Sequence, residues 1–276
     1  MDIDVNGTRL AYSDRGRKHS TTVLLIHGFP LDRRMWDAQV GGLSRLARVV
    51  APDLRGNGRS TVAPGPYSME LYADDLAALL DRLEIRQAVV VGLSMGGYIA
   101  FALWRRHPER VLGLALLDTR AEPDSPQAQA NRDLAIGRIE KIGGGAYAGE
   151  MLPRLLAPAN LGNGRIAGRA REIMASQPVP GTLEALRALR DRPDSQPTLA
   201  TVNVPALVIA GEEDALTPPA IAQAMAESIP NARLAIVPRA GHLSPMENPR
   251  AVNRLLRRFI EEIELHQGRA AKEITR

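Results

Sequence analysis

Three residues far apart in the chain, Ser94, Asp214 and His242, carry the side chains that together turn a weak nucleophile into a strong one. A hydroxyl attacks poorly at neutral pH. It needs a base with a pKa near 7 within hydrogen-bond reach, and that base needs an acceptor that fixes its tautomer and stabilises its charged form. Histidine and aspartate fill these two roles. The serine lies at the centre of Gly92-Leu93-Ser94-Met95-Gly96, between the apolar run Ala88-Val89-Val90-Val91 and a helix-compatible stretch over residues 98–104. Strand, tight turn and helix in that order hold a hydroxyl clear of both elements in a strained conformation, which requires small neighbours. Gly92 and Gly96 meet that need, and Gly97 lets the helix start approach the sheet. The Met95 amide opens a helix, where partial positive charge collects. Alone, the pentapeptide also suits a glycine-rich turn with an incidental serine, so the rest of the chain decides.

The elements around these residues alternate. Asp4-Val5-Asn6-Gly7-Thr8-Arg9-Leu10 reads as a hairpin with a type I′ turn at Asn-Gly. Val23-Leu24-Leu25-Ile26 is a continuous apolar run, as expected of a strand buried on both faces, and Val49-Val50-Ala51 is a second. Leu71, Leu76, Leu79, Leu80 and Leu83 recur at helical spacing over residues 69–83. A strand over 111–118 follows the helix behind Ser94. Residues 120–201 change character: rich in Ala, Arg, Pro and Gly, they predict helices near 126–142, 146–157, 165–176 and 181–191 and no strand. Strands resume at 206–210 and 233–237, with helices near 218–228 and 248–264 and a charged, frayed tail from Gln267. The expected fold class is α/β, a mainly parallel sheet with helices on both faces. Residues 1–119 and 202–276 would form its core, interrupted by an all-helical insertion over 120–201. In open α/β sheets ligands bind at the carboxyl ends of the strands. Phe29, Ser94, Asp214 and His242 each follow a strand and are placed to converge there. Asp118 also ends a strand and is a rival for the acid.

Several classes are excluded. The chain has 35 Lys and Arg against 31 Asp and Glu, with no basic run interleaved with aromatics, so no nucleic-acid partner is expected. It has no cysteine, which removes disulfides, thiolate metal sites and cysteine nucleophiles. Residues 1–4 are acidic and lack an apolar signal core. No stretch approaches the ~18 apolar residues of a membrane span, so a soluble, cytoplasmic monomer or homodimer without membrane contact is expected. Scattered histidines and carboxylates suggest no metal site. Gly56-Asn57-Gly58 lacks the Gly-Lys-Ser/Thr ending of a phosphate loop. His27 is expected to brace the loop that follows its strand and His107 to lie at a polar helix exit. His19 and His266 are expected to be exposed, and Glu212 and Glu213 solvated.

The chain order Ser, Asp, His matches α/β-hydrolases. So do His27-Gly28-Phe29-Pro30, residues 53–60 (Asp-Leu-Arg-Gly-Asn-Gly-Arg-Ser), the pentapeptide, Gly211-Glu212-Glu213-Asp214 and Gly241-His242. In these motifs the sequence resembles α/β-hydrolase-fold enzymes of the bacterial esterase, lactonase and perhydrolase type. The resemblance implies Ser94 as nucleophile, His242 as base and Asp214 as its orienting acid. It also implies an oxyanion hole from the backbone N–H groups of Phe29 and Met95, a helical cap over 120–201 and no cofactor. The implied reaction is hydrolysis of a carboxylic ester through an acyl-enzyme. A lactonase, for instance on an enol-lactone, would use the same chemistry. Pro30 resembles the perhydrolases with non-haem haloperoxidase-like side activity, although Phe29 stands where they usually carry tryptophan. Haloalkane dehalogenases and epoxide hydrolases share the His-Gly-Phe-Pro segment but use an aspartate nucleophile, which Ser94 argues against. A non-catalytic ligand sensor on the same fold is the reading from another class, and the complete triad weighs against it. Within the insertion Met151, Leu152, Leu155, Leu156, Ile173, Met174, Leu183 and Leu186, with Tyr147, suggest a small or medium, mainly apolar ester as the small-molecule partner.

Overall fold

The computed structural model describes residues 1–274. Strands β1 (Asp2–Val5) and β2 (Thr8–Arg15) form an antiparallel hairpin. Its turn residues, Asn6 and Gly7, have φ of 43° and 71°, the two positive values that a type I′ turn needs. β3 (Thr22–Ile26), β4 (Arg48–Pro52), β5 (Ala88–Leu93), β6 (Val111–Leu117), β7 (Ala206–Gly211) and β8 (Ala232–Val237) are mutually parallel. The sheet runs β1-β2-β4-β3-β5-β6-β7-β8, with β2 antiparallel to β4.

Helices α1 (Asp37–Leu43), α2 (Met69–Arg82) and α3 (Met95–Arg106) follow β3, β4 and β5. Between β6 and β7 come α4 (Pro126–Leu155), α5 (Pro158–Leu161), α6 (Gly164–Ala175), α7 (Val179–Arg190) and α8 (Gln196–Leu199), and no strand. α9 (Pro219–Ser228), α10 (Ser244–Glu247) and α11 (Pro249–Ile274) complete the order. Alternate strand residues divide the core. Leu24, Ile26, Val90 and Val208 pack with α2, α3 and α9, whereas Val23, Leu25, Val89 and Ile209 pack with α1 and α11. Because helices cover both faces, each central strand is apolar along its whole length, which is why these strands read so plainly. α1, α5, α8 and α10, of seven residues or fewer, show too little period to be foreseen. α11 is longer than expected, reaching Ile274; residues 275–276 of the expected frayed tail lie outside the described residues. Among the described residues no helix is long and apolar enough to cross a membrane.

The inserted helices sit on the loops after β3 and β4. α4 begins at a Ser125 cap followed by Pro126 and breaks at Gly143, whose φ of 78° and ψ of 159° leave the helical region. The expected boundary between two helices is therefore present as a kink. Ala170, Ile173 and Met174 of α6 join Leu31, Met35 and Trp36 in one apolar cluster. Gln177 donates to Asp32 Oδ2 at 2.8 Å and accepts from the Gly58 amide at 2.9 Å. At Gly181 the first turn of α7 lies on the backbone of Gly56, so near that an added Cβ would meet Gly56 C and Cα at 2.6 and 2.7 Å. Backbone cannot swing aside as a side chain can. Gly181→Ala should therefore lower the unfolding free energy by about 1–3 kcal/mol through overpacking. A denaturant titration checks it, and an unchanged midpoint would show that α7 is not seated on this loop.

Candidate active site

Ser94 ends β5 and caps α3 with φ 51° and ψ −113°, a conformation that L-residues adopt only under constraint. The constraint is backbone packing. A Cβ on Gly96 would meet Ile26 C at 2.9 Å and His27 O at 3.0 Å, and one on Gly92 would meet Gly97 N at 2.7 Å. The Ser94 amide donates to Leu117 O at 2.9 Å, and Thr119 Oγ1 donates to Ser94 O at 2.8 Å. Both anchors come from the end of β6. The elbow is held, and its hydroxyl remains partly exposed.

Three of the residues singled out in the sequence meet there. Ser94 Oγ lies 2.9 Å from His242 Nε2, and His242 Nδ1 lies 2.8 Å from Asp214 Oδ2. An ionised carboxylate only accepts, so Nδ1 carries the proton and Nε2 is free to accept from the serine hydroxyl. Asp214 also accepts from the Leu216 amide at 2.8 Å, the Thr217 amide at 3.0 Å and Thr217 Oγ1 at 2.6 Å. Burial opposes its charge, but the imidazole and these donors outweigh burial and hold the carboxyl below its ordinary range. Burial likewise opposes the imidazolium of His242. The Asp214 charge and hydrogen bond overcome it and raise the histidine above 6.5, with Arg120 opposing the rise.

The loop bearing His242 is fastened from behind. Its amide donates to Leu155 O at the end of α4 at 2.9 Å. The buried Glu247 accepts from the Gly241 amide at 2.9 Å and the Leu243 amide at 3.2 Å through one oxygen, and from the Ala157 amide and Asn160 Nδ2, both at 2.8 Å, through the other.

Asp118, the rival acid, has no hydrogen bond with the imidazole among the described residues. It accepts from the Gly211 amide at 2.7 Å and from Ser244 Oγ at 2.5 Å, tying β6, β7 and α10 together. Burial first, then the neighbouring Asp214 charge, push its pKa up to about 8.

The Phe29 and Met95 amides donate no hydrogen bond among the described residues. A Cβ on Gly28 would lie 3.2 Å from Leu93 O and 3.4 Å from Ser94 Cβ, which places the Phe29 turn beside the elbow. His27, fully buried, fixes that turn. The Leu54 amide donates to its Nε2 at 3.0 Å, so Nδ1 holds the proton and donates to Gly28 O at 3.0 Å. Of the other histidines, His107 meets Asp74 at 2.8 Å and His266 is exposed, but His19 is half-buried rather than exposed.

Ser94, His242 and Phe29 open on a cavity of about 950 Å³ whose far wall is mostly α4. Tyr147, Met151 and Leu155 line it. Leu156, Ile173, Met174 and Leu186 are instead buried in helix packing. Arg120, Arg132, Arg138, Lys141, Arg154 and Arg192 also face the cavity, against two carboxylates, Asp124 and Asp133. The mainly apolar ester suggested by the composition of the insertion therefore meets a lining in which charged residues stand beside apolar ones. Much of the apolar side of these helices is used to pack them together, and α4 turns charged residues as well as Tyr147, Met151 and Leu155 to the cavity. Sequence reasoning missed Thr119, Arg120, Thr217 and Glu247. Only Thr217 had a local signal, the Asp-x-x-Thr spacing before Pro218-Pro219 that marks a helix entry. Among the described residues no group of three or more His, Cys, Asp or Glu is placed to hold a metal ion.

A family model described as alpha/beta hydrolase fold matches residues 21–249. A thermophilic esterase from Thermogutta terrifontis, solved with malate bound, is 42% identical with a TM-score of 0.90, covering 95% of this chain and 97% of that one. The enol-lactonase from Burkholderia xenovorans LB400 is 31% identical with a TM-score of 0.88, covering 95% of this chain and 100% of the other. A pimeloyl-[acyl-carrier protein] methyl ester esterase of Neisseria meningitidis serogroup C is 30% identical over 87% of this chain and 94% of its own.

If His242 accepts the serine proton, kcat/KM for a neutral ester rises with pH through one ionisation above the ordinary histidine value of about 6.5. A profile flat from about pH 5 to 8, with the protein folded, rules the imidazole out. Asp214→Asn should misplace the tautomer and lower kcat by about 10⁴. Asp118→Asn should keep most activity, since an amide resembles the protonated acid. Folded Asp118 holds its proton to about pH 8 and the unfolded chain releases it near 3.8, so the stability it contributes at acid pH is lost as pH rises through that window. The melting temperature of Asp118→Asn relative to wild type should accordingly climb between those two values. The reverse activity ranking would transfer the acid role to Asp118.

Proposed function

The chain belongs to the alpha/beta hydrolase fold family, and from that premise we propose that it is a serine hydrolase acting on a carboxylic ester. The observation that carries the reading is the unbroken line from Asp214 through His242 to Ser94, at 2.8 and 2.9 Å, opening on a large cavity. In this reading Ser94 Oγ attacks the ester carbonyl as His242 Nε2 takes its proton, and Asp214 stabilises the imidazolium that forms. The carbonyl oxygen, now negative, lies against the Phe29 and Met95 amides, donors with no other partner among the described residues. The imidazolium returns its proton to the departing alkoxide. Water, deprotonated by the same nitrogen, then releases the acid and frees Ser94. Residues 120–201 act as a cap over a core formed by 1–119 and 202–276, and the partner is a small molecule.

A lactone is the second reading, favoured by the similarity to an enol-lactonase. The catalytic steps are unchanged, and the leaving alcohol remains tethered to the acyl group. A substrate panel of short-chain esters, aryl esters and lactones separates the two. In either case Ser94→Ala should leave melting unaltered and lower kcat by a factor on the order of 10⁶. Retention of a tenth of the hydrolysis would mean that another group is the nucleophile.

A further inference from the structure

The charges facing the cavity do not cancel. Asp124 is shared by Arg132, at 3.0 Å, and Arg192, at 2.5 Å. Asp133 is paired with Arg190, which lies outside the lining, at 2.7 Å. Arg138 is paired with Glu150 at 2.5 Å. Arg120, Lys141 and Arg154 have no acidic partner among the described residues and face the same space as Ser94.

These cations are not equivalent. Arg192 is part of the wall: besides Asp124 it donates to Leu189 O and Glu122 O, and its guanidinium stacks 4.4 Å over the Tyr98 ring. Arg154 and Lys141 are exposed residues of α4. Arg120 is half-buried and directly follows Thr119, which anchors the elbow. Of its five N–H donors only one is engaged among the described residues, Nη2 donating to Leu216 O. It is close enough to His242 to pull the histidine pKa down. A guanidinium fork suits a planar carboxylate, and excess charge inside a walled cavity draws the opposite charge in.

Resting on the ester-hydrolase reading, we propose that the substrate is a half-ester or lactone bearing a free carboxylate, which Arg120 binds beside the active site while Arg154 and Lys141 attract it into the cavity. The carboxylate takes up the unused Arg120 donors, and the scissile carbonyl lies across the cavity at Ser94. Hydrolysis of such a half-ester gives a dicarboxylic acid.

The test compares monomethyl glutarate with methyl valerate, which differ by the terminal carboxylate, in a pH-stat at low and high NaCl. The wild type should prefer the anionic ester, and the preference should shrink with salt. Arg120→Met should lower the anionic-to-neutral ratio of kcat/KM by about tenfold or more, the usual worth of a hydrogen bond to a charged group. Arg154→Met should lower it less, and Arg120→Lys should restore part of the loss. Glutarate titrated calorimetrically into Ser94→Ala reads the same site without turnover, and its affinity should fall in parallel when Arg120→Met is added. A ratio that neither salt nor Arg120→Met alters, or no glutarate binding to Ser94→Ala, overturns the proposal. Hydrolysis of p-nitrophenyl butyrate under either result leaves the ester reading standing. Its absence, together with glutarate binding that depends on Arg120, removes the ester reading and keeps the anion site.

Discussion

Everything at the site depends on three stretches of backbone approaching closer than side chains allow. Gly92 and Gly96 have no Cβ, and each lies where one would strike neighbouring backbone, while Gly28 packs closely against Leu93 and Ser94. Their contact forces Ser94 out of the ordinary backbone regions and sets the Phe29 turn against the elbow. The strain is local and the restraint is not, because the end of β6 supplies the bonds to the Ser94 amide and carbonyl. The strand next to the elbow thus anchors the nucleophile, although it contributes nothing to the reacting atoms.

The two aspartates near the histidine show how environment divides like residues into unlike roles. Asp214 lies among donors and an imidazole, and it stays charged. Asp118 is buried more deeply, near that charge, and holds its proton. Both close ring-like sets of hydrogen bonds around strand ends. One carboxyl thereby polarises the histidine, and the other joins β6, β7 and α10 without adding a second negative charge beside the first.

The sheet was legible in the sequence because its central strands are apolar on both faces, and the paired ends of those strands brought Ser94, Asp214 and His242 to one edge. The elbow was legible because few residues fit so tight a turn. Elements of one or two turns escaped, since four to seven residues cannot display a helical period. The choice of Asp214 over Asp118 rested on the resemblance and not on strand position: both end strands, and what separates them is whether the side chain meets Thr217 and His242 or Gly211 and Ser244. The lining of the cavity was not legible for a related reason. Composition reveals which side chains an insertion has, but which of them turn toward the space beneath depends on how α4, α6 and α7 pack.

The fastening of the His242 loop to the end of α4 and to the Ala157–Asn160 segment bears on how such an enzyme is redesigned. An insertion between two strands invites treatment as an exchangeable module, to be replaced whole when a new substrate is wanted. Here the graft boundary would cut through the support of the general base, since Leu155, Ala157 and Asn160 hold the histidine turn directly or through Glu247. Among the described residues the portion before Gly143 has no such bond to that turn, and it faces the cavity through Arg132, Asp133 and Arg138. Its exposed positions are where sequence libraries can be varied, with the buried Ile139 kept and residues 153–160 carried over unchanged as part of the catalytic scaffold.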